Sequence, residues 1–238
     1  MLLVASIACC KEKIMALYLK GFLIACKGIP TTIWVSLIAI ILGAALGLLL
    51  ALCTQTNNKV LKTIAKLYVD IVRGTPMLVQ ALVMAYGVPQ LIQSTGASFI
   101  WPDLVIPAII VCGCNSAAYM SEVIRSGIQA VDKGQMEAAR SLGMSKGMAM
   151  RLVIIPQAIR IILPAFCNEF VTLIKETSVL GYVGVVEILR HGQLWNASSF
   201  QTFPAYIGVA IAYMILTIPL SKIVNGYERK MSKKEAAA

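Results

Sequence analysis

Asn115, Tyr119 and Glu122 follow one another at spacings of four and three residues, and Glu169, Thr172 and Glu176 repeat the device at three and four. On a helix such spacings place each trio on one face. Asn168 adjoins Glu169, and Gln80 lies in a run without charged residues from Gly74 to Pro102. Two chemistries suit polar groups set so deep in apolar sequence. In one, the two faces line a path for a polar solute, and a carboxylate such as Glu169 attracts an ammonium group or a cationic side chain. In the other, the amides and carboxylates hydrogen-bond between neighbouring helices and touch no solute. Both stay open for Gln80 and Asn115; the charge of Glu169 favours the first.

Other chemistries find less support. The seven cysteines, at 9, 10, 26, 53, 112, 114 and 167, show no paired metal spacing. Cys112 and Cys114 are two apart, which on a helix faces them away from each other. They read as small apolar packing residues. His191 is the single histidine, without the neighbours that a zinc set or a catalytic triad would need.

The elements that must position these residues follow from composition. Of 238 residues, 58% are hydrophobic and 13% charged, with mean hydropathy +0.79. That balance exceeds what a soluble domain carries and points to a membrane protein. No Asp, Glu, Lys or Arg occurs from Gly28 to Asn58, Gly74 to Pro102, Leu104 to Ser121 or Gly192 to Ser221. Each run is long enough for a helix of ~20 residues to cross the hydrocarbon core. A fifth run, Leu152 to Ile174, contains Arg160 and Glu169, which burial in a helical bundle would explain. The expected fold is all-α, with spans near 30–53, 74–93, 104–125, 155–175 and 202–224, a loop at 132–156, and a basic tail at 228–238.

The net charge of +10 could suggest nucleic-acid binding. That function needs basic residues clustered on a water-soluble face with stacking aromatics, whereas here they sit between apolar runs. Lys59, Lys62, Lys66 and Arg73 follow the first span, Arg125 to Arg160 the third, and Lys222 to Lys234 the fifth. No Lys or Arg separates the second and third. The positive-inside bias then puts the C-terminus in the cytoplasm and the N-terminus outside. Lys11, Lys13, Lys20 and Lys27 run against that bias. An amphipathic helix over Ile14–Cys26, lying in the interface with its lysines snorkelling, would accommodate them. MLLVASIACC precedes its lysines, unlike a secretory signal, so no cleavage is expected.

Between the third and fourth spans lies EAARSLGMSKGMAMRLVIIPQAIRIILP, Glu137 to Pro164. Two short helices fit its first part, Gln135–Leu142 and Ser145–Ile155, with Ser145 as a cap for the second. Gly143 between them supplies a left-handed turn, and Pro156 marks the entry to the fourth span. The segment is longer than an ordinary connection and rich in alanine, as suits a docking surface for a cytoplasmic partner.

Glu137, Ala138, Ala139, Gly143 and Pro156 reproduce the spacing EAA-x3-G-x9-I-x-L-P, with Val153 and Ile155 as apolar replacements. The chain thereby resembles the permease subunits of ABC importers. The segments VRGTPMLVQ from Val72, AAYMSEVIRSGIQAVDKG from Ala117 and NEFVTLIKETSVLGYVGVVEILR from Asn168 resemble the polar amino-acid branch of that family. The resemblance implies a five-helix permease and a second permease subunit, identical or homologous. It also implies two cytoplasmic ATP-binding subunits carrying ATP and Mg, and an extracytoplasmic amino-acid-binding protein. It assigns contact with the ATPase to Glu137, Ala138, Ala139 and Gly143, beside which Arg140 can make a partner-facing polar contact. Apart from the resemblance, their depth in the spans and their shared helix faces make Gln80, Asn115, Tyr119, Glu122, Asn168, Glu169 and Thr172 the expected substrate pathway. No GxxxxGK[ST] motif occurs, so ATP hydrolysis is expected on another chain and this one is expected to be no enzyme and to bind no cofactor.

Within this frame Arg73-Gly74-Thr75-Pro76 reads as the entry turn of the second span, with Asp70 placed to pair with Arg73. A secondary transporter or a channel subunit is the alternative. The first commonly shows internal repeats, absent here, and neither explains the long coupling-like loop.

Overall fold

The computed structural model describes the backbone of residues 2–235 and the side chains of residues 12–230. Cys9, Cys10, Lys11, Lys233 and Lys234, which entered the arguments on thiols and topology, have side chains outside the described residues. Every regular element among the described residues is helical. In chain order these are α1 (Leu2–Cys26), α2 (Ile29–Gln55), α3 (Lys59–Gly74), α4 (Met77–Leu82), α5 (Val88–Ser94), α6 (Val105–Gln129), α7 (Lys133–Ser141), α8 (Lys146–Ala149), α9 (Ile155–Glu176), α10 (Ile188–Ser199) and α11 (Thr202–Glu235). Among the described residues four helical stretches are long and apolar enough to cross a membrane, or five if Lys59–Gly74 and Met77–Ser94 count as one broken span. The chain divides into two compact units. One comprises Met1–Leu37, Met77–Val111 and Ile174–Pro219, the other Ile38–Pro76, Cys112–Leu173 and Leu220–Ala238.

In the first unit, helices meet where they lack side chains. A Cβ on Gly208 would lie 2.4 Å from the carbonyl carbon of Gly21 and from the nitrogen of Phe22, so α11 and α1 pack backbone against backbone. Such contacts are how helices associate without a hydrophobic drive from water. α1 is therefore longer than the interfacial helix expected over Ile14–Cys26 and is packed on α11, with Tyr18 edge-on to Phe203. Lys13, Lys20 and Lys27 are exposed along it, interleaved with exposed Ile14, Met15, Leu19 and Leu23. Phe22, Ala25, Cys26 and Ile29 close a core with Ile188, Val209 and Ala212.

After α9 the chain tightens into a 3-10 helix, Thr177–Val183, and turns through Gly184 at φ +98°. Tyr86 donates a hydrogen bond to the Val183 carbonyl at 2.8 Å, which ties this turn to the π-helical turn Val83–Gly87 between α4 and α5. Glu187 follows. Its carboxylate caps α10, accepting from the Leu189 and Arg190 backbone N–H groups at 2.8 and 2.7 Å and from the Tyr213 hydroxyl at 2.5 Å. The side chain is 1% exposed. Gly28, at the α1–α2 junction, leaves no room for a Cβ beside the Glu187 and Ile188 backbone. The Glu187 carboxylate thus joins the start of α10 to α11, and its backbone packs against the corner between α1 and α2.

In the second unit Gly43, Gly47 and Gly113 set α2 against α6, and Gly127 seats Ile162 of α9. Asn58 caps α3 by accepting from the Val60 and Leu61 N–H groups. α3 ends at Thr75, which is extended (φ −120°, ψ 142°), as a residue before proline must be. The Tyr68 hydroxyl donates to the Cys114 carbonyl at 2.8 Å and joins α3 to α6. Pro156 does not start a new helix. Helix continues from Lys146 to Glu176 because a π-helical turn, Met150–Ile154, widens the ladder just before the residue that lacks an N–H.

Burial pushes the Glu187 carboxyl above its ordinary range, and the bonds from Tyr213, Leu189 and Arg190 offset this only in part. A raised folded-state value means the folded chain holds the proton more tightly, so stability falls as pH rises past the usual carboxylate range. Glu187→Gln keeps an acceptor and cannot ionise; it should flatten the pH dependence of the thermal midpoint in detergent. Glu187→Ala removes the acceptor of the Tyr213 hydroxyl and leaves the two cap donors unpaired, and should cost about 2–3 kcal/mol.

Candidate functional site

The segment after α6 is built to be seen. Asp132 caps α7 by accepting from the Gly134 N–H at 2.8 Å. Met136 packs into a core of Val131, Ile154 and Ala158, and Ala139 is buried at 4% exposure. Glu137, Ala138 and Arg140 point away from that core and are exposed. Gly143 takes φ +87° with nothing within 4 Å of its missing Cβ, so the turn is chosen by backbone conformation and not by crowding. The Arg140 guanidinium donates to the Met144 carbonyl at 2.9 Å and braces the turn from its far side. Ser145 accepts from the Met148 N–H at 3.3 Å and starts the next helix. The five residues assigned to this segment thus divide: Ala139 anchors, Gly143 turns, and Glu137, Ala138 and Arg140 form a small exposed face.

The polar residues on the long helices divide too. Asn115 of α6 is buried, whereas Tyr119 and Glu122 are half-buried one and two turns on. Glu122 accepts from Arg125 at 2.6 Å and faces Arg73 of α3 at 4.0 Å. The Arg73 guanidinium lies over the Tyr119 ring, 5.3 Å from its centre. Arg73 therefore turns to α6, where Asp70 was the expected partner. On α9, Asn168 is exposed and Glu169 and Thr172 are half-buried. Gln80, half-buried on α4, belongs to the first unit.

Below Tyr119 the second unit opens into a cavity of 630 Å³. Its walls are Lys62, Lys66, Asp70 and Arg73 from α3, Glu122, Arg125 and Gln129 from α6, and Thr54 and Gln55 at the end of α2, with Val69 as the one apolar contributor. Glu122 alone of the pathway residues lines it. Sequence reasoning used Lys62, Lys66 and Arg125 only as a charge bias for topology, and Arg73 also as part of the entry turn of the second span. The stronger signal was their placement: 62, 66, 70 and 73 recur on one face of an otherwise apolar helix.

His191 packs near Lys27, and burial together with that charge holds its imidazole below the ordinary value, so it is a neutral packing residue in the first unit. Among the described residues no group of three His, Cys, Asp or Glu is placed to hold a metal ion.

Residues 43–233 match the model of the family described as binding-protein-dependent transport system inner membrane component. A Bacillus subtilis protein named "Probable amino-acid permease protein YxeN" is 39% identical over 87% of this chain and 91% of its own length. A Rickettsia prowazekii protein named "Putative glutamine transport system permease protein GlnP" is 38% identical over 90% of this chain and 95% of its own. Among solved structures, a chain from "Crystal structure of an amino acid ABC transporter with histidines" superposes with TM-score 0.77 at 36% identity, covering 92% of this chain and 96% of that one. Long apolar helices, a Glu-Ala-Ala helix anchored by Ala139 with Glu137 and Ala138 exposed, and a match over most of the length agree: the chain belongs to the family of inner membrane components of binding-protein-dependent transport systems.

Proposed function

We propose that this chain is the permease subunit of an ATP-driven importer of polar amino acids, and that α7 with the Gly143 turn couples it to an ATP-binding subunit. The amino-acid class is carried by similarity to relatives named for amino-acid and glutamine transport. The observation that carries the coupling role is the anchored but exposed face of α7: buried Ala139 and Met136 hold the helix, and Glu137, Ala138 and Arg140 are left for a partner. Small side chains permit close approach, and the two charges can make polar contacts at the rim. ATP and Mg belong on the partner, since this chain has no phosphate-cradling loop. The complete assembly pairs this chain with a second permease subunit, identical or homologous, above two ATP-binding subunits and beneath an extracytoplasmic binding protein. The coupling face and the C-terminus lie in the cytoplasm and the N-terminus outside.

Gly143→Val forces a branched side chain into φ +87° and costs about 1–2 kcal/mol at the turn. The variant should insert in the membrane and keep its thermal midpoint within a few degrees, yet lose co-purification with the ATP-binding subunit and most ATP-driven uptake. Retained uptake and association would remove Gly143 from coupling. Glu169, half-buried on α9, is assigned to the pathway. Glu169→Ala should depress uptake while leaving basal ATP hydrolysis in place; uptake at the native rate would exclude Glu169 from the pathway.

A further inference from the structure

The 630 Å³ cavity of the second unit has a charge pattern that neither the coupling segment nor the expected pathway explains. Four cations, Lys62, Lys66, Arg73 and Arg125, face two carboxylates, Asp70 and Glu122, which leaves a formal surplus of two positive charges. The surplus resides on the lysines. Arg125 is committed to Glu122 at 2.6 Å, and Arg73 divides itself between Glu122 and the Tyr119 ring. Among the described residues Lys62 and Lys66 are in no ion pair, although Lys66 acts on Glu122 from a distance. Thr54, Gln55 and Gln129 add neutral hydrogen-bonding groups to the wall.

The sidedness of α3 identifies the kind of occupant. Val60, Leu61, Ile64, Leu67 and Ile71 are exposed on one face, where lipid suits them. The stripe of Lys62, Lys66, Asp70 and Arg73 lies on the other and lines the cavity. The cations are thus turned away from the apolar surface and toward a polar-walled space, as a soluble anion requires. Its size falls within the range of about 300–1,000 Å³ usual for small-molecule sites.

We propose that this cavity is a charge-selecting vestibule that accepts amino acids with an anionic or neutral side chain and excludes cationic ones. The proposal rests on the amino-acid importer reading and narrows its substrate class. Lys62 and Lys66 receive the α-carboxylate, or the side-chain carboxylate of an acidic amino acid. Asp70 is the counter-charge for the α-ammonium group. A second ammonium or a guanidinium on the solute meets the uncompensated lysines and is repelled, an effect that salt screens.

The test uses the complete permease and ATP-binding assembly in nanodiscs, without binding protein so that its preference does not intrude. Binding of glutamate, glutamine and arginine is measured by calorimetry at low and high salt. Glutamate should bind about tenfold or more tightly than arginine at low salt, with the gap narrowing at high salt. In Lys62→Glu/Lys66→Glu, whose surplus is reversed, the order should invert; in Lys62→Gln/Lys66→Gln it should flatten. A thermal midpoint without solute establishes that each variant is folded. Arginine binding equal to glutamate, no binding of any of the three, or an unchanged order in the folded charge-reversed variant would overturn the proposal. Discs of phosphatidylcholine and of phosphatidylglycerol separate the competing source of anions: loss of glutamate binding only in the anionic lipid would give the cavity to a headgroup and overturn it as well. ATP-driven uptake by the same assembly in vesicles with its binding protein tests the importer reading separately. Uptake of an amino acid without the charge order sinks the vestibule alone, and absence of ATP-driven amino-acid uptake sinks the importer.

Discussion

A polypeptide in hydrocarbon has no water to satisfy its backbone, so each N–H and C=O group must find its partner inside the chain. That constraint accounts for the exclusively helical content of the described residues and for how the helices meet. Apolar side chains gain nothing from leaving lipid, so association rests on close van der Waals contact and on internal hydrogen bonds. Gly21 against Gly208, Gly43 and Gly47 against α6, and Gly127 against Ile162 are contacts of the first kind. Tyr68 to the Cys114 carbonyl and Tyr86 to the Val183 carbonyl are of the second.

The same constraint explains why charged residues sit where they do. Glu187 is buried but fully engaged, with two backbone donors and a phenol. A carboxylate so placed joins the start of α10 to α11 as no apolar residue could, at the cost of a proton affinity raised by burial. The second unit treats charge differently. There Glu122, Arg125, Arg73 and two lysines surround open volume, and only part of that charge is compensated internally. Satisfied charge is architecture, and uncompensated charge around a cavity is available to a solute.

Much of this was legible in the sequence. Uncharged runs overlap α2, α6 and the first part of α11, and Gly143 and Ser145 adopted the turn and the cap that their chemistry favours. Spacing alone did not show that the helix runs unbroken into Pro156, because that depends on the π-helical turn at Met150–Ile154, which widens the ladder before it. Glu187 was invisible for another reason: glutamate is not among the usual N-cap residues, and its phenol partner lies 26 residues away. α1 was read from its lysines when the decisive residue was Gly21, whose role depends on a helix far along the chain. The cavity escaped because the α3 stripe was counted for its charge and not for its face. Local chemistry could be read from spacing; contacts between distant segments could not.

The central claim is that the turn from Glu137 to Gly143 faces the cytoplasm, where a nucleotide-driven partner can push on it. Leu142, 83% exposed beside that turn, is a suitable reporter. With the native cysteines replaced, Leu142→Cys should react with a membrane-impermeant maleimide in inside-out vesicles and stay unlabelled in intact cells whose outer face is open to the reagent. Labelling of Leu142→Cys from outside intact cells would put the turn beyond reach of any cytoplasmic ATPase and contradict the account.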